Sequence, residues 1–285
     1  DCAMVMAAGR FAAQTKKDFA GTICVSGTVH EECFEGVAPR EVTKRVKPDF
    51  VIVGEATSTS IKIGQRGRAE VVVETEGVSC HSSNPEKGVN AVYGMMAVIE
   101  EIRKIVPNEH PLLGRGILEL TDIVSAPYPG ASVVPAACRA TFDRRTLVGE
   151  DEAVILGQVE EAIVRAQEKH PEIKARCYLA TGTEACWTGD TISAKRYFPA
   201  WVVDENSELV VKARRGLEAA GIDAPLSHFS FCTNGSHFCG EAGIPTIGYG
   251  PSLESLAHVR DEYIEISQLT KACRGFASIL AELTR

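Results

Sequence analysis

The chain has 285 residues, 45% of them apolar and 24% charged, with a net charge of −8 at pH 7. That balance is a soluble globular protein with a sizeable core, and its acidity argues against a general nucleic-acid binder. No apolar run is long enough to span a bilayer and no signal peptide is read at the start, so no membrane or nucleic-acid partner is expected.

Ten cysteines stand at 2, 24, 33, 80, 138, 177, 186, 232, 239 and 273, and none has CxxC spacing. The expectation is reduced, buried thiols in a cytoplasmic protein, with a disulfide framework as the weaker alternative. The start at Asp1, without Met, leaves room for a longer gene product.

In chain order, residues 3–19 read as a helix with a basic end. Residues 21–29 read as a short buried strand, closed by the acidic pair Glu31-Glu32. Residues 39–47 read as a short helix opened by Pro39, and 49–54 as a second buried strand followed at once by Glu55. From residue 61 the style changes to longer, alternating β segments, as in an antiparallel sheet with one wet face. A turn-rich stretch at 77–85 leads to a helix over 89–105, strands over 116–124 and 136–147, a helix over 150–169 and a strand over 173–179. That order, β-α-β-β-α-β, predicts a four-stranded antiparallel sheet with two helices, inserted into the surrounding fold. Residues 181–201 read as an irregular return connection. A helix over 209–220 follows, then 227–237 leading into another, a strand over 244–250 with His258 in the loop after it, and a C-terminal helix over 262–283.

The fold class is therefore α/β: a mostly parallel sheet with helices on both faces, over residues 1–60 and 198–285, and an inserted α+β domain over 61–197. In open α/β sheets ligands bind beyond the carboxyl ends of the strands, where Glu32, Glu55 and His258 are expected to meet. Oxygen and imidazole donors of this kind suit zinc, manganese or cobalt, and the neighbouring Glu31 is free to move a proton.

With these motifs in hand the chain resembles the M20 metallopeptidases and deacylases, which include carboxypeptidase G-type enzymes, acetylornithine deacetylase and succinyl-diaminopimelate desuccinylase. The resemblance rests on Glu31-Glu32, on Gly54-Glu55-Ala56-Thr57, on residues 77–91 with His81-Ser82-Ser83-Asn84-Pro85, on Asp143-Arg144-Arg145, and on residues 250–262 with His258. The tract from Ser132 to Thr146 is most similar to a subgroup of selenium-metabolism-linked hydrolases. The resemblance implies Glu31 as general base, Glu32, Glu55 and His258 as metal ligands, and two divalent metals, zinc first with manganese or cobalt as alternatives. It also implies His81 as an oxyanion donor to the partner subunit's site, and so a homodimer built through the inserted domain. Arg145, with Thr233, Asn234 and Gly235, is implied to hold the substrate, an N-acyl amino acid or small peptide cleaved at its amide bond.

Two departures accompany the match. No His-x-Asp ligand segment is present, and Asp1, near the place of the bridging carboxylate, lacks the glycines that usually follow it. Ser132 stands where many relatives carry an asparagine that touches substrate. Plainer roles stay open: His81 as a surface-turn residue, Arg145 paired with Asp143 or Glu150, Asn234-Gly235 as a tight turn. His30, His228 and His237 read as structural, His30 with a supporting place beside the ligands. The alternative to an enzyme is a non-catalytic dimerisation protein that kept the fold and lost its full metal set.

Overall fold

The computed structural model describes residues 2–285, so Asp1 lies outside the described residues. The chain divides into two compact units. One takes the chain up to Arg66 with Pro111–Leu113 and Ala200–Arg285, and the other takes Gly67–His110 with Gly114–Pro199.

The first unit is built on a five-stranded sheet. Strands Val51–Val53, Thr246–Gly248, Ile61–Gln65 and Trp201–Val202 lie in that order, and Leu226–Phe229 also pairs with Ile61–Gln65. Two pairings are parallel and two antiparallel, so the sheet is mixed where the sequence pattern predicted mostly parallel strands. The helices Cys2–Gln14 and Glu208–Ala219 each pack on Ile266–Leu283. Their apolar stripes close over Ile61, Ile63, Phe229, Ile247 and Tyr249 to form one core. Each fully buried Leu or Ile here contributes roughly 1.5–3 kcal/mol.

Residues 22–28 are not a strand. Ile23, Cys24 and Val25 have strand-forming side chains, but no strand of the sheet pairs with them among the described residues, and Cys24 and Val25 are exposed. A strand is defined by its ladder partner rather than by its own residues. Glu31 and Glu32 accordingly sit in a turn anchored by the fully buried Phe34, not at a strand end. Residues 227–237 also differ from expectation: Leu226–Phe229 is a strand, and the helical part is one π-type turn, Ser236–Glu241.

The second unit holds the expected β-α-β-β-α-β core. Gly67–Glu76 is central, paired antiparallel with Ala137–Thr146 on one side and with Lys174–Leu179 on the other; Ile117–Ala126 pairs with the far edge of Ala137–Thr146. The short strand Tyr197–Phe198 completes this five-stranded sheet. Helices Ala91–Ile102 and Glu152–Lys169 bury Met95, Val98, Val159 and Ile163 with Val71, Val73, Ala140 and Phe142 of the sheet. Asp151 caps the second helix, its carboxylate accepting from the Val154 N–H at 2.9 Å, worth about 1 kcal/mol. The buried Glu101 carboxylate joins the two helices through Lys104 of its own segment and Arg165 and Lys169 of the other, and its hydrogen bonds with Lys104 and Lys169 hold its pKa down at about 2. The predicted irregular connection is instead largely a hairpin, Thr181–Ala185 with Thr191–Lys195, turned at Gly189 with φ +93°.

Arg144 is 1% exposed and its guanidinium donates to Glu150 Oε1 at 3.0 Å. Glu150 also accepts from Asn108 Nδ2 and the Leu147 N–H, both at 3.0 Å. Removing one partner strands the other charge in the core, so Glu150→Ala costs about 3–5 kcal/mol in a denaturant melt. Replacing both residues by apolar ones of similar volume recovers most of that loss.

All ten cysteines are free, but only Cys138 and Cys232 are buried, so the expectation of generally buried thiols does not hold. Cys2 is exposed at the start of helix Cys2–Gln14, and Cys24 because the unpaired stretch 22–28 is exposed along most of its length. Among the described residues no helix is long and apolar enough to cross a membrane.

Candidate active site

Within the first unit three loops bring together the carboxylates predicted as catalytic and metal-binding. The turn after residue 28 carries Glu31 and Glu32, the segment after Val51–Val53 carries Glu55, and the loop after Thr246–Gly248 carries His258. His258 Nε2 lies 3.3 Å from Glu32 Oε2, with both side chains largely exposed. Glu31 and Glu55 lie deeper. Burial pushes the Glu31 carboxyl up to about 8, helped by the charges of Glu55, Glu35 and Glu32, while the Asn234 backbone N–H opposes the shift. Burial raises Glu55 to about 7, with Glu32 adding to it. The groups acting on Glu31 are carboxylates and one backbone N–H, with no lysine or arginine among them. Such crowding of like charge favours protons or a cation.

Among the described residues no three His, Cys, Asp or Glu side chains close into a metal-binding group. The donor chemistry nonetheless fits a hard or borderline divalent cation: carboxylate oxygens, one imidazole nitrogen, and excess negative charge between them. His30 and His258 both take left-handed backbone conformations, with φ 55° and 60°. Non-glycine residues adopt that region where surroundings over-determine them, commonly at functional sites.

The loops are tied to one another by groups that the sequence reading passed over. Thr57 Oγ1 donates to the Gly250 carbonyl at 2.9 Å and accepts from the Gly250 N–H at 3.0 Å. A Cβ at Gly250 would come within 2.2 Å of the Glu55 carbonyl oxygen. Gly250→Ala therefore forces the Glu55 segment away, and the expected loss is at least the ~1–3 kcal/mol of an overpacked core, read as a lower melting temperature. Lys62, 10% exposed, pairs with Glu254 at 2.7 Å, and Ser230 Oγ donates to the other oxygen of Glu254 at 2.7 Å. These bonds fix the turn Glu254–Leu256 just before His258. Glu35 is 6% exposed and adds its charge to Glu31. Residues 31–38 are turns rather than a helix, so no spacing rule pointed to it.

Thr233, Asn234 and Gly235 lie in the same unit. Thr233 is fully buried, its hydroxyl donating to Gln65 Oε1 at 2.6 Å and accepting from the Gly235 N–H at 3.0 Å. His237 Nδ1 donates to Glu241 Oε2 at 2.7 Å, and its Nε2 shares a hydrogen bond with Thr43 Oγ1 at 2.9 Å, which is a structural network. His228 is held below its usual pKa by burial and by Lys62 and Arg66.

His81 and Arg145 belong to the second unit. His81 Nδ1 accepts from the Ser83 N–H at 3.1 Å and from the Ser83 hydroxyl at 2.7 Å, whose oxygen in turn accepts from Asn84 Nδ2 at 3.0 Å. That pattern puts the imidazole proton on Nε2, so His81 presents an N–H donor. Arg145 Nε donates to Asp143 Oδ1 at 2.7 Å, the plainer of the two roles foreseen for it.

Comparison with known proteins follows the same outline. Residues 63–171 match the peptidase dimerisation domain of the M20 family. The uncharacterized protein YgeY of Escherichia coli K12 is 31% identical over 263 residues, covering 90% of this chain and 64% of that protein. The chain thus spans a little under two thirds of that relative's length. A succinyl-diaminopimelate desuccinylase of Rickettsia rickettsii is 26% identical over 277 residues, covering 93% of this chain and 68% of that enzyme. In structure, the Bacillus subtilis YXEP protein, a dinuclear metal-binding peptidase of the M20 family, aligns with a TM-score of 0.68 over 99% of this chain and 71% of its own, at 11% identity. At that identity the likeness concerns the fold alone. The chain is a homologue of YgeY and of a succinyl-diaminopimelate desuccinylase, and it carries the M20 peptidase dimerisation domain at residues 63–171.

Proposed function

We propose that this protein is a metal-dependent hydrolase that cleaves the amide bond of an N-acyl amino acid or small peptide, working as a homodimer. One observation carries the reading: Glu31, Glu32, Glu55 and His258, brought from three separate loops, gather in one unit with their negative charge unbalanced by lysine or arginine at Glu31. The names of the relatives, a desuccinylase and a dinuclear metal-binding peptidase, support it.

Glu32, Glu55 and His258 would hold the divalent metal, with zinc, manganese and cobalt all compatible with the donors. When bound, the metal supplies positive charge that acidifies water and polarises a carbonyl. Glu31 takes the proton of the attacking water at its carboxylate and returns it to the leaving amine. His81, whose Nδ1 is taken by Ser83, would offer its Nε2–H to a developing oxyanion in the partner subunit's site. Arg145, already oriented by Asp143, offers its remaining guanidinium N–H groups to a substrate carboxylate.

The competing reading is a non-catalytic dimerisation protein, favoured by the exposure of Glu32 and His258 and by the lack of a closed three-donor group among the described residues. The deciding experiment supplies zinc or manganese to the full-length protein and assays a panel of N-acyl amino acids and dipeptides against a Glu31→Gln control. Turnover that depends on the metal and on Glu31 supports the hydrolase; failure to bind metal or turn over any member supports the other reading.

A further inference from the structure

Because residues 22–28 join no sheet, the loop bearing Glu31 and Glu32 has no ladder hydrogen bonds to place it. Something else must fix its position. The Asn234 side chain does so at both ends of the loop: Nδ2 donates to Thr28 Oγ1 at 3.0 Å, and Oδ1 accepts from the Gly36 N–H at 3.0 Å. Between these points the Asn234 backbone amide acts on the Glu31 carboxyl, opposing the rise of its pKa. At the far end Gly36, with φ +91°, lies so close to His237 that a Cβ there would come within 2.9 Å of the His237 backbone nitrogen.

We propose that Asn234 is a positioning residue, which ties Thr28 to Gly36 and so sets Glu31 and Glu32 in place, rather than a contact for substrate. This deepens the hydrolase reading and rests on it for the roles of Glu31 and Glu32. The loop takes one donor and one acceptor of the amide, one on each heteroatom, so the orientation of the side chain is set by the tether. The tether is anchored in turn. Gln65, fully buried at the end of strand Ile61–Gln65, donates to the Thr233 carbonyl at 3.3 Å and to Ser236 Oγ at 2.9 Å, while Thr233 Oγ1 donates back to it. Asn234 thus stands between two residues locked to a core strand, and carries that rigidity across about 200 residues of sequence to the loop. Two substitutions show what the amide supplies. Aspartate keeps the acceptor for Gly36 but loses the donor to Thr28 and adds another carboxylate beside Glu31, and alanine loses both arms.

The test uses the full-length, metal-supplied protein with Asn234→Ala and Thr28→Val. Hydrogen exchange of the peptide spanning residues 28–36 is expected to quicken in both variants, more in Asn234→Ala. Metal affinity and kcat are expected to fall about 10- to 100-fold in Asn234→Ala, with KM within twofold of wild type. A raised KM with unchanged kcat and unchanged exchange would make Asn234 a substrate contact and overturn the proposal. Should Asn234→Ala fail to fold, Thr28→Val decides alone: faster exchange with lower kcat supports the tether, and wild-type behaviour in both refutes it. The exchange measurement needs no turnover. A wild-type protein that neither binds metal nor hydrolyses the panel sinks the hydrolase reading, while faster exchange in the variants still supports the tether.

Discussion

Replacing Glu31 with glutamine lowers kcat on the best substrate of the panel by about 100- to 10,000-fold, the usual worth of a positioned general base. That is about 3–5 kcal/mol of transition-state barrier. KM and metal stoichiometry change little, because the glutamine keeps the shape of the side chain and the donors assigned to the metal are Glu32, Glu55 and His258. The split is informative. A loss confined to kcat marks a group that acts in the transition state, whereas a parallel loss of metal would place Glu31 among the ligands. Steady-state kinetics with a metal titration on the same preparation separates the two. Equal kcat in wild type and variant would remove Glu31 from the reaction.

The metal-free protein is expected to lose stability as pH rises from about 4.5 to about 8. The sign follows from the two half-buried carboxyls. Glu31 and Glu55 ionise near 4.5 in the unfolded chain but are raised to about 8 and about 7 in the folded one. Between those values the native state holds protons that the unfolded state has released, so their contribution is fully present below pH 4.5 and is lost as pH climbs through the folded pKa values. Thermal melts in chelator at pH 5 and pH 8.5 measure it. His228, whose pKa is lowered, works in the opposite direction through the imidazole range, so the cleaner quantity is the difference between wild type and Glu31→Gln. The variant lacks the Glu31 term and should show the shallower decline. Adding zinc or manganese at pH 8.5 replaces the missing protons with a cation and raises the melting temperature. At one hundred times the dissociation constant the gain is about 2.7 kcal/mol. Parallel pH profiles for wild type and variant would mean that Glu31 is not crowded after all.

Much of the second unit was legible in the sequence, because its elements are long and their burial is periodic. Strand Ala137–Thr146 alternates buried and partly exposed positions along most of its length, and helix Glu152–Lys169 announces its start with Asp151 and Glu152. Glu55 was legible for a similar reason, as a carboxylate directly after Val51-Ile52-Val53. Residues 21–29 misled because Ile23, Cys24 and Val25 look like strand residues, while strandness depends on a neighbour that no local window contains. The hairpin over 181–195 carried its turn signal in Gly189-Asp190, but its Thr- and Gly-rich arms lack an apolar stripe. The role of Asn234 was invisible for a different reason: its partners Thr28 and Gly36 are 206 and 198 residues away, and nothing in the Asn-Gly dipeptide distinguishes a tether from a turn.

The chain has two tryptophans, and their surroundings could hardly differ more: Trp187 at the hairpin tip is 92% exposed and Trp201 in the first unit is 2% exposed. The Trp201 ring lies directly against Gly235, the neighbour of Asn234, where an added Cβ would meet it at 2.5 Å. Intrinsic fluorescence is consequently divided between the two units. A dissolved quencher such as iodide darkens the red-shifted emission of Trp187 and spares the blue-shifted emission of Trp201, leaving an optical gauge of the segment that braces the acidic loop.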